Sequence, residues 1–111
     1  MLPAMRSKKT YNPVILPDAR DDMQMAALWY NKQKNGLGNV FLSRIKERVR
    51  KLKSNPYACQ VRYKNVHVAL VNQFPYLIHY IIDDTTRLFF IVAILHTSQN
   101  PKIWDDRTKE K

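Results

Sequence analysis

Eight consecutive positions, Leu88-Phe89-Phe90-Ile91-Val92-Ala93-Ile94-Leu95, carry no polar side chain, and aromatic and β-branched residues dominate them. Successive residues of a strand point to opposite faces of a sheet. A strand of this content therefore buries both faces, as a central strand covered on both sides does. The rest of the chain must supply that cover. With 111 residues it lies below the roughly 250 at which chains usually divide into domains, so one domain over residues 10–111 is expected. Apolar residues make up 45% and aromatics 11%, enough for one hydrophobic core, and wholesale disorder is excluded.

Further strands are expected at Cys59 to Tyr63, Val66 to Val71 and Tyr76 to Ile82, where β-branched and aromatic residues cluster. Asp83-Asp84-Thr85-Thr86 supplies turn chemistry before the apolar run, which makes the last two strands an antiparallel hairpin. A short strand from Thr10 to Leu16 contains Pro13. Proline cannot donate to a ladder, so this strand belongs at a sheet edge or a bulge. Residues 1–9 read as a flexible basic lead-in.

Between the first strand and the others the period becomes helical. Asp18 is the expected N-cap of a first helix running to about Lys34, with Asp21 and Asp22 in its first turn. Ala19, Met23, Ala26, Ala27 and Tyr30 fall on one face of it. Asn35-Gly36 breaks it, and Gly36 and Gly38 are the only glycines in the chain, so a tight helix-to-helix turn is expected there. A second helix follows from Leu37 to Ser54, with Leu37, Phe41, Ile45, Val49 and Leu52 along one stripe. Asn55-Pro56 ends it. Arg48 is anomalous: at 100° per residue it lies about 20° from Phe41, inside the apolar stripe.

The charge is unevenly placed. Lys and Arg number 19 against 9 Asp and Glu, a formal net charge of +10. Up to Pro56 there are 12 cations and 4 acids, and beyond it 7 and 5. The densest stretch holds Arg44, Lys46, Arg48, Arg50, Lys51 and Lys53 with only Glu47 among them, on the second helix. Such a face favours nucleic acid, an anionic membrane surface or an acidic protein. Cys59 is the single cysteine, which rules out an internal disulfide and leads to a cytosolic expectation. No export signal and no membrane span are expected. No pair of the three histidines has metal-ligand spacing, and neither metal nor cofactor is expected.

This order of elements, with a basic second helix and the string Phe74-Pro75-Tyr76-Leu77-Ile78-His79-Tyr80, resembles the RelE/ParE superfamily of toxins from bacterial type II toxin-antitoxin systems. The resemblance also rests on Ala19 and Asp22, Trp29-Tyr30, Gly36-Leu37-Gly38 with Phe41, Asn55-Pro56, Arg62-Tyr63, His96-Thr97-Ser98, Pro101, Trp104 and Arg107. It implies an α+β fold with a helical hairpin on a mostly antiparallel sheet of four or five strands, in the order β-α-α-β-β-β-β. It further implies a cytoplasmic toxin in a hetero-oligomer with a cognate acidic antitoxin, and no membrane partner. One branch of the superfamily poisons DNA gyrase; another cleaves messenger RNA on the ribosome.

Cleavage of RNA through its 2′-hydroxyl needs a base, an acid and cations against the phosphate. Aligned with the nuclease branch, the expected arginine before the fourth strand falls near Gln73, the tail arginine near Ser98 and the tail tyrosine at Trp104. All three are changed. The nuclease alternative is left with His96 as acid or base and with Arg62, Lys64 and Arg87 as candidate phosphate contacts. The other histidines, His67 and His79, read as structural, and Tyr76, Ile78 and Tyr80 as core beneath the hairpin. Under the toxin reading, the residues expected to bind antitoxin or target are Arg44, Arg48 and Lys51 on the basic helix. Met25, Leu28 and Trp29, a second apolar group on the first helix, join them, with Trp104 and Arg107 in the tail. A ParE-like gyrase poison, a RelE-like endoribonuclease and a non-toxic antitoxin-binding relic are the three alternatives.

Overall fold

The structure, a computed structural model, describes residues 10–99; the lead-in at 1–9 and the tail from 100 onward lie outside the described residues. The elements are β1 (Asn12–Ile15), α1 (Pro17–Gln33), α2 (Leu37–Ser54), a 3-10 turn at Pro56–Ala58, β2 (Val61–Tyr63), β3 (Val66–Leu70), β4 (Tyr76–Asp83) and β5 (Leu88–His96). The five strands form one sheet in the order β1-β5-β4-β3-β2. Only β1 pairs in parallel, with Pro13 opposite Phe89 at the outer edge. This is the expected α+β arrangement.

The middle of the sheet is the β4–β5 ladder, eight pairs from Tyr76↔His96 to Asp83↔Leu88. His79 pairs with Ala93 and Tyr80 with Ile91, leaving Val92 as an extra residue in β5. Such a bulge puts two neighbours on one face. Phe89, Ile91 and Ile94 accordingly join the core beneath the helices, whereas Phe90, Val92, Ala93 and Leu95 join a second cluster with Val66 and Val68. The apolar run serves both faces, as expected of it.

The helical hairpin lies on the first of these faces. Phe41, Ile45 and Leu52 of α2 are fully buried there, with Ile78 and Tyr80 of β4. Tyr80 places its hydroxyl on the Pro56 carbonyl at 2.6 Å, so this buried ring keeps a partner for its polar end. Burial is the largest cause raising the pKa of its phenol. Where β1 ends, the edge of β5 is left open. Asp22 of α1 closes it, accepting the Ile94 amide at 3.0 Å.

Two local expectations need correction. Asp18 is not the N-cap of α1: the helix starts at Pro17, with Leu16 as an extended cap and no side-chain cap bond. Proline suits the first helical position, where no amide partner exists anyway, and it moves the start one residue ahead of the aspartate. The strand expected from Cys59 shortens to Val61–Tyr63 because Pro56–Ala58 coils into a 3-10 turn. The boundaries of α2 agree with expectation.

The two glycines do different work. Gly36 has φ +87°, a left-handed conformation that side chains resist. Gly38 lets the helices close up: a Cβ there would stand 2.1 Å from the Ala27 carbonyl oxygen, and its amide donates to Asn31 Oδ1 at 2.8 Å. Gly36→Ala is therefore expected to cost about 1 kcal/mol, the strain alone. Gly38→Ala should cost more, roughly 1–3 kcal/mol or above, since backbone must move. Urea denaturation of both variants would reverse this account if Gly36→Ala proved the more damaging.

Asp84, in the β4–β5 turn, accepts the Tyr11 hydroxyl at 2.7 Å and the Tyr57 hydroxyl as well. The hydrogen bond to Asp84 pushes the Tyr57 phenol up from 10.0 to about 12. A group whose folded pKa is raised contributes stability below its unfolded pKa and loses it as pH rises through the folded one. The Tyr57 contribution should thus be whole below pH 10 and fade towards about 12. In a tyrosinate absorbance titration, Asp84→Asn should bring the late-titrating phenol down; an unchanged curve would exclude the coupling.

Candidate functional site

The last residue of β5 is His96, opposite Tyr76, whose ring meets it edge-on at 5.3 Å. Its Nδ1 accepts the Ser98 amide at 3.0 Å and lies 2.8 Å from the Ser98 hydroxyl. A nitrogen that accepts an N–H is unprotonated, so the neutral ring carries its proton on Nε2. The turn is closed further by Thr97 N on the Pro75 carbonyl and His96 N on Gln99 Oε1.

The three candidate catalytic groups do not converge. Arg87 precedes β5 and His96 ends it, a separation of about 30 Å along the strand at roughly 3.3 Å per residue. Arg62, on β2, lies three strands away from β5, about 14 Å across the sheet at roughly 4.8 Å per strand. Acid, base and cations for one phosphodiester must reach the same few ångströms. Arg87 instead stands over the Tyr11 ring at 5.8 Å. The length of β5 was readable in the sequence, and it already separates Arg87 from His96.

At the His96 end of the sheet, Gln73 sits in the β3–β4 turn with φ 72°. Its Oε1 accepts Arg44 Nε at 2.7 Å, and Arg44 also pairs with Glu47 at 3.5 Å. One turn on, Arg48 Nε donates to the Leu70 carbonyl at 3.0 Å and Nη2 lies 3.2 Å from Cys59 Sγ. This explains an arginine inside an apolar stripe: its stem follows the stripe and its head ties α2 to the end of β3. Arg44, Arg48 and Lys51 then line one open groove of about 400 Å³ with Glu47, Leu70 and Asn72. Two of its cations are held in place and Lys51 is exposed.

The second apolar group on α1 is open. Met25, Leu28 and Trp29 are 68%, 59% and 55% exposed. Trp29 stands against Tyr30 at 5.1 Å and borders a groove of about 340 Å³ with Asp21, Asp22, Met25, Tyr76, Ile94 and Gln99. That groove runs from α1 towards the His96 end, a continuity that sequence reasoning missed because it joins residues more than 50 positions apart. Trp104 and Arg107 lie outside the described residues.

His67 and His79 are buried with partners. His67 Nδ1 is 2.7 Å from the Cys59 carbonyl, and its ring stacks on Tyr80 at 5.3 Å. His79 Nδ1 is 2.7 Å from the Tyr63 hydroxyl. Among the described residues no three His, Cys, Asp or Glu side chains gather in one place, and no helix is long and apolar enough to cross a membrane.

Comparison with known proteins bears on both fold and family. The fold is similar to that of the chromosomal ParDE toxin-antitoxin system from P. aeruginosa, at TM-score 0.68 and 14% identity over 78% of this chain and 96% of that one. It is also similar to the RelBE2 toxin-antitoxin complex from Mycobacterium tuberculosis, at TM-score 0.58 and 18% identity over 78% and 98%. A mutant E. coli RelE toxin in the free state gives TM-score 0.68 at 12% identity over 91% and 97%. Among curated proteins, none matches the chain by sequence. The model of the ParE toxin of the type II toxin-antitoxin system parDE matches residues 14–101, most of the chain. The chain belongs to this family of type II toxin-antitoxin toxins.

Proposed function

We propose that the chain arrests growth by binding DNA gyrase and that a cognate antitoxin holds it inactive in a hetero-oligomer, in the cytoplasm. The observation that carries this reading is the family match over residues 14–101. The scatter of Arg62, Arg87 and His96 supports binding over catalysis, as do the uncharged Gln73 and Ser98 at the His96 end. The antitoxin is supported by the solved neighbours, two of which are toxin-antitoxin systems.

Two described faces suit such a partner. The groove of Arg44, Arg48 and Lys51 offers cations already anchored on one side, so little side-chain freedom is lost when an acidic segment settles there. Met25, Leu28 and Trp29 offer apolar area at the opposite side of the hairpin, where a large aromatic can anchor an interface. Trp104 and Arg107 of the tail are proposed to add to these contacts. An endoribonuclease is the second reading, favoured by one observation: His96 is held through Nδ1, which leaves Nε2 to exchange a proton.

Induced expression of the chain and of His96→Ala separates the two. We expect both to stop growth to the same extent without cleaved messenger RNA, and the purified protein to inhibit gyrase supercoiling. Growth arrest that comes with cut messages and disappears in His96→Ala would make the chain a nuclease instead.

A further inference from the structure

The outward face of α1 carries an ordered row of side chains. Asp21, Met25, Leu28 and Lys32 are all exposed, and steps of four, three and four residues set them in one line along a helix. Asp18 precedes the row by three residues and Trp29 flanks it. The row is apolar in the middle, acidic at its N-terminal end and cationic at its C-terminal end. Its charge also departs from that of the chain. α1 holds three acids, Asp18, Asp21 and Asp22, against two cations, Arg20 and Lys32, a local −1 on a chain of formal charge +10.

We propose that this face pairs with its own copy, two chains meeting through antiparallel α1 helices about a two-fold axis. Such an interface brings the same patch of both copies together, so the patch must complement itself. The spacing meets that demand. Asp21 and Lys32 stand about 16.5 Å apart at roughly 1.5 Å per residue, with Met25 and Leu28 placed symmetrically between them. An antiparallel pair centred midway sets Asp21 of each copy opposite Lys32 of the other, and Met25 of each opposite Leu28 of the other. A parallel pair would set acid on acid and cation on cation. Nucleic acid and an anionic membrane surface fit the face less well, because both would meet Asp18 and Asp21 at one end of the row. Apolar contact comes from three side chains per copy, Met25, Leu28 and Trp29, where a standard interface draws on roughly 20–30 residues a side. The pairing is accordingly weak, with a dissociation constant on the order of 10–100 µM. It does not depend on the gyrase reading. It covers a face offered to the antitoxin or target above, so the dimer and that complex compete for α1.

Sedimentation equilibrium of the purified full chain tests the pairing. From about 1 µM to about 300 µM, a range that brackets the constant, the average mass should climb from that of one chain, 13.2 kDa, towards twice that value. Asp21→Lys alone, or Lys32→Asp alone, opposes like charges at both symmetric contacts and should weaken association roughly tenfold or more. The two together restore opposite charges with the signs exchanged, and association should return to within about threefold of the parent. Leu28→Lys, in the middle of the row, should leave the chain monomeric. All these positions are exposed, and circular dichroism checks that each variant keeps its helices. A parent chain that stays monomeric throughout would overturn the proposal and leave the face to a partner protein. A dimer untouched by Leu28→Lys, or a double exchange no better than the single ones, would overturn it equally.

Discussion

The β4–β5 ladder is the constraint on which the remaining elements depend. Its eight pairs hold β1 on one side and β3 on the other, and they supply side chains to both clusters. The bulge at Val92 makes this possible. Without an extra residue, strict alternation would turn either Ile91 or Ile94 away from the helices. With it, one strand keeps Phe89, Ile91 and Ile94 on the helical side while supplying four residues to the other. Asp22 answers the remaining backbone problem by accepting the Ile94 amide, where an open edge would otherwise invite pairing with another chain.

The basic helix is less uniform than its composition implies. Six cations lie between Arg44 and Lys53, but they serve three purposes. Arg48 is part of the architecture, bridging α2 to Leu70 and Cys59. Arg44 is oriented by Gln73 and Glu47 and shares its groove with Lys51. Lys46, Arg50 and Lys53 border a third groove, beside β1, on a different side of the same helix. A count of charges on a helix thus overstates the number available to any one partner, and rotation about the axis decides which they are.

Local signals were legible in proportion to how local their causes are. The extent of α2 followed from Gly36 before it and Pro56 after it, because those residues act on their own backbone. The two-sided burial of β5 followed from its composition. Asp18 misled because Pro17 beside it is the stronger determinant of where the first turn begins. Arg48 was legible as an anomaly but not as a bridge, since its acceptors come from residues 70 and 59 and only the tertiary fold brings them near. The candidate site was the least legible part. Three grooves were assembled from residues distant in the chain, and charge or exposure along the sequence does not report such adjacency.

The carboxylate of Asp84 has a mechanical consequence. Tyr11 lies just before β1 and Tyr57 just after α2, and both hydroxyls end on this one side chain. The Tyr11 amide also donates to the Lys53 carbonyl at 2.8 Å. The segment from Tyr11 to Tyr57 is therefore a closed circuit, tied at both ends to the β4–β5 turn. A pull on α2 reaches that turn through Tyr57, whereas a pull on α1 reaches the four-residue parallel pairing of β1 through Ile15 before it reaches Tyr11. The short parallel strand is thereby anchored at both ends, by α1 on one side and by the Tyr11 tie to Asp84 on the other, so its far end is held to the sheet when the hairpin is gripped.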